Sequence, residues 1–371
     1  MIDIVDQGLV YRNPYPAIRT RHAWHPTLVH LGGEAWACAF DIGEAAEAHD
    51  YGTYFSSSVD DGTTWSAPER MIPAGDPARS YSVRMSALAD GTLVAAGAHH
   101  HARAENQGRL NPDTFGYTAM DIVELRRPGI DGGWSEPRII DPAYHGTSFE
   151  TCHPIVELSD GRWILPTSTW MNWDGSAPHG MKGILLVSHD RGMSWPEVVV
   201  TMDSWERRVT HFEQSVIELE HGRLLAVAWA YNVDTGATEQ TPYAISSDGQ
   251  RFVVHGLTDL NAQTAKLVKL DGNRVLCAYR RHDARGLWLA EVEIAGNSWN
   301  TLSTQCLWDG AASGMAGERR NSEELSDLRF GFPQMVRRPD GDIQLLFWAR
   351  ENDINDIRWL RLREKQMEVS Q

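Results

Sequence analysis

Cysteine is scarce: the 371-residue chain has four, Cys38, Cys152, Cys277 and Cys306, set far apart. Three fall in expected strands, which favours buried free thiols over a disulfide framework. Long apolar runs are missing, and none approaches the eighteen or so residues of a membrane-spanning helix. The first residues show neither a basic stretch nor an apolar stretch of signal-peptide type, so a cytoplasmic location is the expectation. Positive charge is in deficit. Lys and Arg number 34 against 50 Asp and Glu, a net charge of −16. That excludes nucleic acid as the expected partner, because affinity for it comes from neutralising phosphates. No His-Glu-x-x-His spacing occurs, so no metal and no other cofactor are expected. Linkers and low-complexity blocks are also absent, and one domain spanning 1–371 is the expectation.

What the chain does have is repetition. Ser58-Val59-Asp60-Asp61-Gly62-Thr63-Thr64-Trp65 and Ser188-His189-Asp190-Arg191-Gly192-Met193-Ser194-Trp195 share the pattern Ser-x-Asp-x-Gly-x-(Ser/Thr)-Trp. A shortened copy runs from Ser246 to Phe252. In each, the Asp is suited to accept backbone N–H bonds within a tight turn, and the Gly supplies a positive φ. The phrase resembles the Asp-box of the sialidase (BNR-repeat) superfamily, whose members are β-propellers.

A longer repeat counts the blades. Six segments read as an apolar strand, a turn ending in Gly and a second apolar strand. Four of the turns are Asp-Gly: Asp90-Gly91, Asp160-Gly161, Asp271-Gly272 and Asp340-Gly341. Asp-Gly between apolar runs predicts a hairpin, with a type I′ turn. Trp65, Trp134, Trp195, Phe252, Trp299 and Trp359 are read as closing aromatics, one per repeat. The expected fold is an all-β, six-bladed β-propeller with four antiparallel strands per blade. The opening strand, residues 2–10, should pair with 357–360 and close the ring, which removes exposed sheet edges.

Strand direction sorts residues by face. The Asp-Gly turns and the Ser-x-Asp-x-Gly turns share one face, which makes Asp60 and Asp190 structural. The starts of first strands and the loops after second strands share the other. That second face collects Arg21, His25, Tyr81, Arg84, Glu150, His153, Glu213, Gln263 and Gln334 from strand starts. From the loops it collects Asp41, His100, Trp170, Asn232, Arg280 and Arg281. Arg and His converging on one pocket suit an anionic ligand through charge-assisted bonds.

The resemblance also implies site residues. Sialidases use an Arg triad, a Tyr nucleophile polarised by a Glu, and an Asp acid/base. The Glu context is matched by Glu213-Gln214-Ser215-Val216-Ile217-Glu218-Leu219-Glu220-His221-Gly222. The Tyr position falls on Phe332, which has no hydroxyl. In the first blade Trp24-His25 stands where an Arg is expected, with Arg21 a candidate replacement. The second Arg falls near Asn232, and Arg319, Arg320 and Arg329 are candidates for the third. The resemblance therefore implies a sialidase-like fold with a divergent site. The expected function is a glycoside hydrolase acting on a small acidic carbohydrate without a Tyr nucleophile. Its candidate carboxylates are Glu213, Asp41 and Glu150. The substrate-binding candidates are Arg21, Arg84, Tyr81, His100, Trp170, Asn232, Gln263, Arg280, Arg281 and Gln334. A uronate lyase is the second reading, with His25, His100, His153, Tyr81 and Arg280 central to it. A non-catalytic glycan-binding propeller is the third.

Overall fold

The structure is a computed structural model, which describes residues 2–16, 18–73, 79–101, 108–281, 283–310, 325 and 327–365. Strands dominate it, in six antiparallel sheets set in a ring as a six-bladed β-propeller. Blade 1 covers 22–70, blade 2 79–140, blade 3 148–202, blade 4 209–257 and blade 5 263–308. Blade 6 takes three strands from 330–364 and its outer strand, Ile2–Tyr11, from the opposite end of the chain. That strand runs antiparallel to Ile354–Glu364, with Gly8 opposite Trp359 and Tyr11 opposite Ile357. Among the described residues no helix is long and apolar enough to cross a membrane.

The strands follow from their patterning. Second strands are almost continuously buried, as in Ala35–Gly43 and Trp163–Trp170, because each lies between two neighbouring blades. Outer strands alternate, as in Ser298–Trp308, with one face on a neighbour and one in water. The blades pack through apolar clusters such as that joining blades 4 and 5, where Leu225, Val227, Leu267 and Cys277 meet. Cys38 and Cys277 are buried free thiols, Cys306 is exposed, and Cys152 lies outside the strands.

Three of the Asp-Gly hairpins are one residue longer in the loop than the sequence suggests. The type I′ turn is not adopted, because only the Gly has a positive φ. Instead Gly91 N–H donates to Leu88 O at 2.9 Å and Leu88 N–H to Thr92 O at 2.9 Å. The same pair of bonds recurs around Gly161 and Gly341. This is a type I turn closed by an αL glycine, the three-residue hairpin loop. The Asp earns its place by accepting the N–H two residues on, at 3.0 Å for Asp90 and Asp160.

The longer phrase forms a matching turn. Asp60 accepts from Thr64 N–H at 2.9 Å and Thr64 Oγ1 at 2.6 Å, and Ser58 Oγ donates to it at 2.8 Å. Asp190 repeats this with Ser194 and Ser188 at 2.8, 2.6 and 2.8 Å. Polar bonds then tie neighbouring turns together. Arg191 of blade 3 bonds Asp90 of blade 2, Arg337 of blade 6 bonds Asp271 of blade 5, and Arg338 of blade 6 bonds Asp61 of blade 1. Trp359 is not a turn aromatic: it lies mid-strand in Ile354–Glu364.

Candidate active site on the propeller axis

The opposite end of the axis is built on bulges. In four blades the inner strand slips by a residue between paired positions: Trp24/Thr27, Phe212/Ser215, Gln263/Lys266 and Gly331/Gln334. The first bulged residue is left-handed in each case: His25 (φ 49°), Glu213 (φ 49°), Thr264 (φ 53°) and Phe332 (φ 51°). For non-glycine residues this conformation costs about 1–2 kcal/mol. A bulge re-aims its side chain, and all four side chains line one cavity of about 120 Å³. Blade 3 interrupts its inner strand instead, between Ser148–Glu150 and Val156–Glu157, where Pro154 lacks the N–H a ladder needs. Blade 2 pairs continuously, and Arg84 reaches the cavity by its length.

Asp41 is the anchor of one wall. It is fully buried and accepts from Thr53 Oγ1 at 2.6 Å, Ser82 Oγ at 2.7 Å and Arg84 at 2.9 Å, with His25 Nδ1 at 3.2 Å. Burial alone would raise its pKa, but Arg84, His25 and Thr53 outweigh burial and hold it at about 2. An ionised carboxylate only accepts, so His25 Nδ1 carries the hydrogen and Nε2 keeps a lone pair. Burial, against the pull of Asp41, lowers His25 to about 4, so the ring is neutral at pH 7. Asp41 does not itself line the cavity. Expected as a carboxylate facing the cavity, it stands behind the wall instead and holds Arg84 and His25.

Glu213 and Glu150 face the cavity from blades 4 and 3. Glu150 Oε2 accepts from Glu213 N–H at 3.0 Å. Glu213 Oε2 and Glu150 Oε1 are buried and have no hydrogen-bond partner among the described residues. Burial raises Glu213 to about 7; Arg280 opposes this and Glu150 adds to it. Lys266 lies behind them, donating to the carbonyls of Cys152, Glu213 and Gln214 at 3.2–3.3 Å. Arg280 is held by Gln263 Oε1 at 3.2 Å and Phe330 O at 3.0 Å. The Phe332 ring sits 4.6 Å from Lys266 Nζ, 5.3 Å from the Arg84 guanidinium and 5.1 Å from the His25 ring.

Two loops extend the rim. Glu47 and Arg109 meet at 3.1 Å, and Arg109 stacks on Tyr51 at 4.1 Å. Burial raises Glu47 above the usual carboxylate range, against the pull of Arg109. Phe115, Tyr117, Trp170, Phe212 and Trp229 form an aromatic wall; Phe212 stacks on Trp229 at 4.6 Å. Burial, then Arg109, pushes His100 well below its ordinary value. With every group ionised, Arg84, Arg109, Lys266 and Arg280 balance Asp41, Glu47, Glu150 and Glu213. A proton on Glu213 turns the site positive.

Of the residues expected from sequence, His25, Arg84, His100, Glu150, Trp170, Glu213 and Arg280 line the cavity. His153 does not: it is buried between blades, with Nε2 accepting from Val216 N–H at 3.3 Å and Nδ1 2.8 Å from Pro154 O. Arg21 lies over Tyr54 at 5.4 Å, and Tyr81 stacks on His99 at 4.3 Å. Asn232 Oδ1 caps a loop through Asp234 and Thr235 N–H. Gln263 supports Arg280 from behind, Arg281 pairs with Asp283 at 2.8 Å, and Gln334 sits past the bulge, off the cavity. Arg319 and Arg320 lie outside the described residues. Sequence reasoning missed Glu47, Arg109, Tyr117, Thr264 and Lys266. Only Lys266 carried a readable signal, a cation amid the buried stretch Gln263–Leu267 of an inner strand, three residues before the half-buried Lys269.

No protein-family model matches the chain, and no curated protein matches it. Solved structures do. A protein of unknown function from Dyadobacter fermentans superposes with a TM-score of 0.74 at 16% identity, over 98% of this chain and 99% of that one. The NanB sialidase from Streptococcus pneumoniae, in complex with 2-[(3-chlorobenzyl)ammonio]ethanesulfonate, gives 0.66 at 13%, over 96% of this chain and 70% of that one. Trypanosoma rangeli sialidase in complex with sialic acid gives 0.61 at 15%, over 95% of this chain and 56% of that one. At such identities the likeness is one of fold, a sialidase-like six-bladed propeller.

Proposed function

We propose that the axial cavity hydrolyses a glycosidic bond in a small acidic glycan, without a tyrosine nucleophile. Glu213 carries the reading. It is a carboxyl poised near neutrality by burial, with an uncommitted oxygen, aimed at the axis by a strained bulge. A general acid needs a pKa near the working pH. In this reading Glu213 gives its proton to the leaving oxygen as the glycosidic bond breaks. Glu150, through its free Oε1, assists the incoming water, whose proton restores the site. Arg84 and Arg280 orient the substrate's anionic group, and the Trp170–Phe212–Trp229 wall takes a sugar face. Phe332 stands beside the cations with no hydroxyl, so sialosides are poor substrates by the tyrosine route.

Aryl glycosides that include uronides and sialosides test this. Hydrolysis abolished in Glu213→Gln supports the reading; hydrolysis that survives it removes Glu213 from the chemistry. A second reading, a uronate lyase, is favoured by the His25–Asp41 pair, which leaves His25 Nε2 as a neutral base in the cavity. An unsaturated product absorbing in the ultraviolet, lost in His25→Gln, selects it. Sugar binding with no turnover of any kind leaves a glycan-binding propeller.

A further inference from the structure

Blade 2 carries a second cluster, outside the axial cavity. His99 and His101 alternate along the strand Leu93–His101, so they share one face while His100 points to the other and lines the cavity. Asp121 on the next strand is the register partner of His99. Its Oδ2 stands 2.8 Å from His101 Nε2 and 3.6 Å from His99 Nδ1. One donor atom from each of the three residues falls within 4.8 Å of the others. We propose that His99, His101 and Asp121 bind one divalent transition-metal ion of the zinc type, with the remaining position open to water or a ligand oxygen.

Geometry and donor chemistry both support this. Tetrahedral ligands at about 2.0–2.1 Å from zinc stand about 3.3 Å apart. The two Asp121–His separations bracket that value, and the His99 and His101 donor atoms lie within 4.8 Å of each other, so an ion can be held by side-chain adjustment alone. Two imidazoles and one carboxylate suit zinc, copper, nickel or iron, and not magnesium or calcium, which take oxygen sets. The Tyr81 ring lies 4.3 Å from His99 at an interplanar angle of 5°, which fixes the imidazole plane. His99 is 7% exposed, while His101 and Asp121 are 38% and 35% exposed, so the site is closed inside and open outside. The net charge of −16 draws cations to the surface. The helical zinc motif has no counterpart because these ligands come from alternate positions of one strand and from its neighbour. An ion here also pins the strand end that presents His100 to the cavity.

The test uses untagged, chelator-treated protein. Zinc chloride is titrated by calorimetry, and cobalt(II) is added separately to read its visible bands. The expected result is one saturable site, an upward Tm shift with zinc, and tetrahedral-type cobalt absorption. His99→Gln, His101→Gln and Asp121→Asn should each weaken binding by about tenfold or more. His189→Gln should leave it unchanged, although His189 also pairs with a carboxylate, Glu197, at 2.9 Å. If His99→Gln folds poorly, the two more exposed positions still decide the matter. No saturable binding up to about 1 mM zinc, or equal binding in His101→Gln and Asp121→Asn, overturns the proposal.

Discussion

The two ends of the propeller axis treat polar groups in opposite ways. At the turn face, Asp60 and Asp190 each accept from a side-chain hydroxyl and a backbone N–H four residues on, and again from the Ser two residues back. Both are held at about 2, chiefly by the hydroxyl of Thr64 or Ser194. At the cavity face, carboxylate oxygens of Glu213 and Glu150 and the Nε of Arg84 and Arg109 are buried without hydrogen-bond partners among the described residues. Four left-handed non-glycine residues lie there as well. A buried polar group without a partner costs about 1–3 kcal/mol. The turn face departs from local rules too, with Asp61 and Arg191 left-handed and Trp195 Nε1 buried without a partner among the described residues. Asp tolerates that conformation, however, and there the carboxylates are fully bonded. Unpaired buried carboxylate oxygens and a left-handed β-branched residue are what set the cavity apart.

Glu213→Gln is the sharpest way to test that contrast. Turnover should fall about 10²–10⁴-fold, the usual worth of a general acid. Stability should move the other way. Burial raises Glu213 from 4.5 to about 7, so the folded state binds its proton more tightly than the unfolded one. Its contribution is fully present below about pH 4.5 and is lost as pH rises through 7. Glu213→Gln removes the charge that burial penalises, so its Tm should decline less than that of the parent protein between pH 5 and 8. A steeper decline in the variant would mean that Glu213 is not the group being desolvated.

Asp41→Ala comes next. It strips Arg84 of its counter-ion at 2.9 Å in a wall without water access, and breaking a buried pair costs about 3–5 kcal/mol. Chemical denaturation would read the loss. Because Asp41 is depressed to about 2, its stabilisation is present above 3.8 and lost as pH falls through 2. A small change in Asp41→Ala would mean that Arg84 is held by its other partners, Val83 O and Ser82 Oγ, and that Asp41 is not the anchor of that wall.

The difference between the two ends also decided how much was legible in the sequence. Turn chemistry is local: Ser58, Asp60, Gly62 and Trp65 act within eight residues, so the repeat announces its own geometry and the blade count follows. The cavity is assembled from six blades and two rim loops. Glu213 and Arg84 could be placed by strand direction, because alternation and chain polarity say which end a residue faces. Asp41, His153, Tyr81 and Gln263 could be placed at the correct end but not at the correct depth. Depth depends on bulges, and no local pattern marks a residue such as Thr264 or Phe332 as left-handed. Glu47 and Arg109 needed a loop–loop contact across 62 residues of sequence, which no periodicity reports.

Asp190→Ala tests the turn face with a smaller effect. It removes three hydrogen bonds from an exposed turn, so Tm should drop by a few degrees with turnover per folded molecule unchanged. A loss of turnover at unchanged Tm would put function at the wrong end of the axis.

The smallest effects come from a reciprocal pair of backbone substitutions. Gly62 has φ +82°, and a Cβ there would meet nothing closer than 3.8 Å. Gly62→Ala is therefore a purely conformational penalty, about 1–2 kcal/mol for a left-handed L-residue. Thr264 has φ 53°, is β-branched and has a buried Oγ1 without a partner. Thr264→Gly releases a strain of the same size and removes an unpaired hydroxyl. Against that stand a lost buried methyl, about 0.8 kcal/mol, and the greater freedom of glycine in the unfolded chain, about 0.5–1 kcal/mol. The terms nearly cancel, so Thr264→Gly should stay within about 1 kcal/mol of the parent, whereas glycine in an unstrained buried strand destabilises clearly. Denaturant midpoints for the pair would measure this. A loss above about 2 kcal/mol in Thr264→Gly would mean the bulge is held without strain, and the contrast between the two faces would then rest on unpaired polar groups alone.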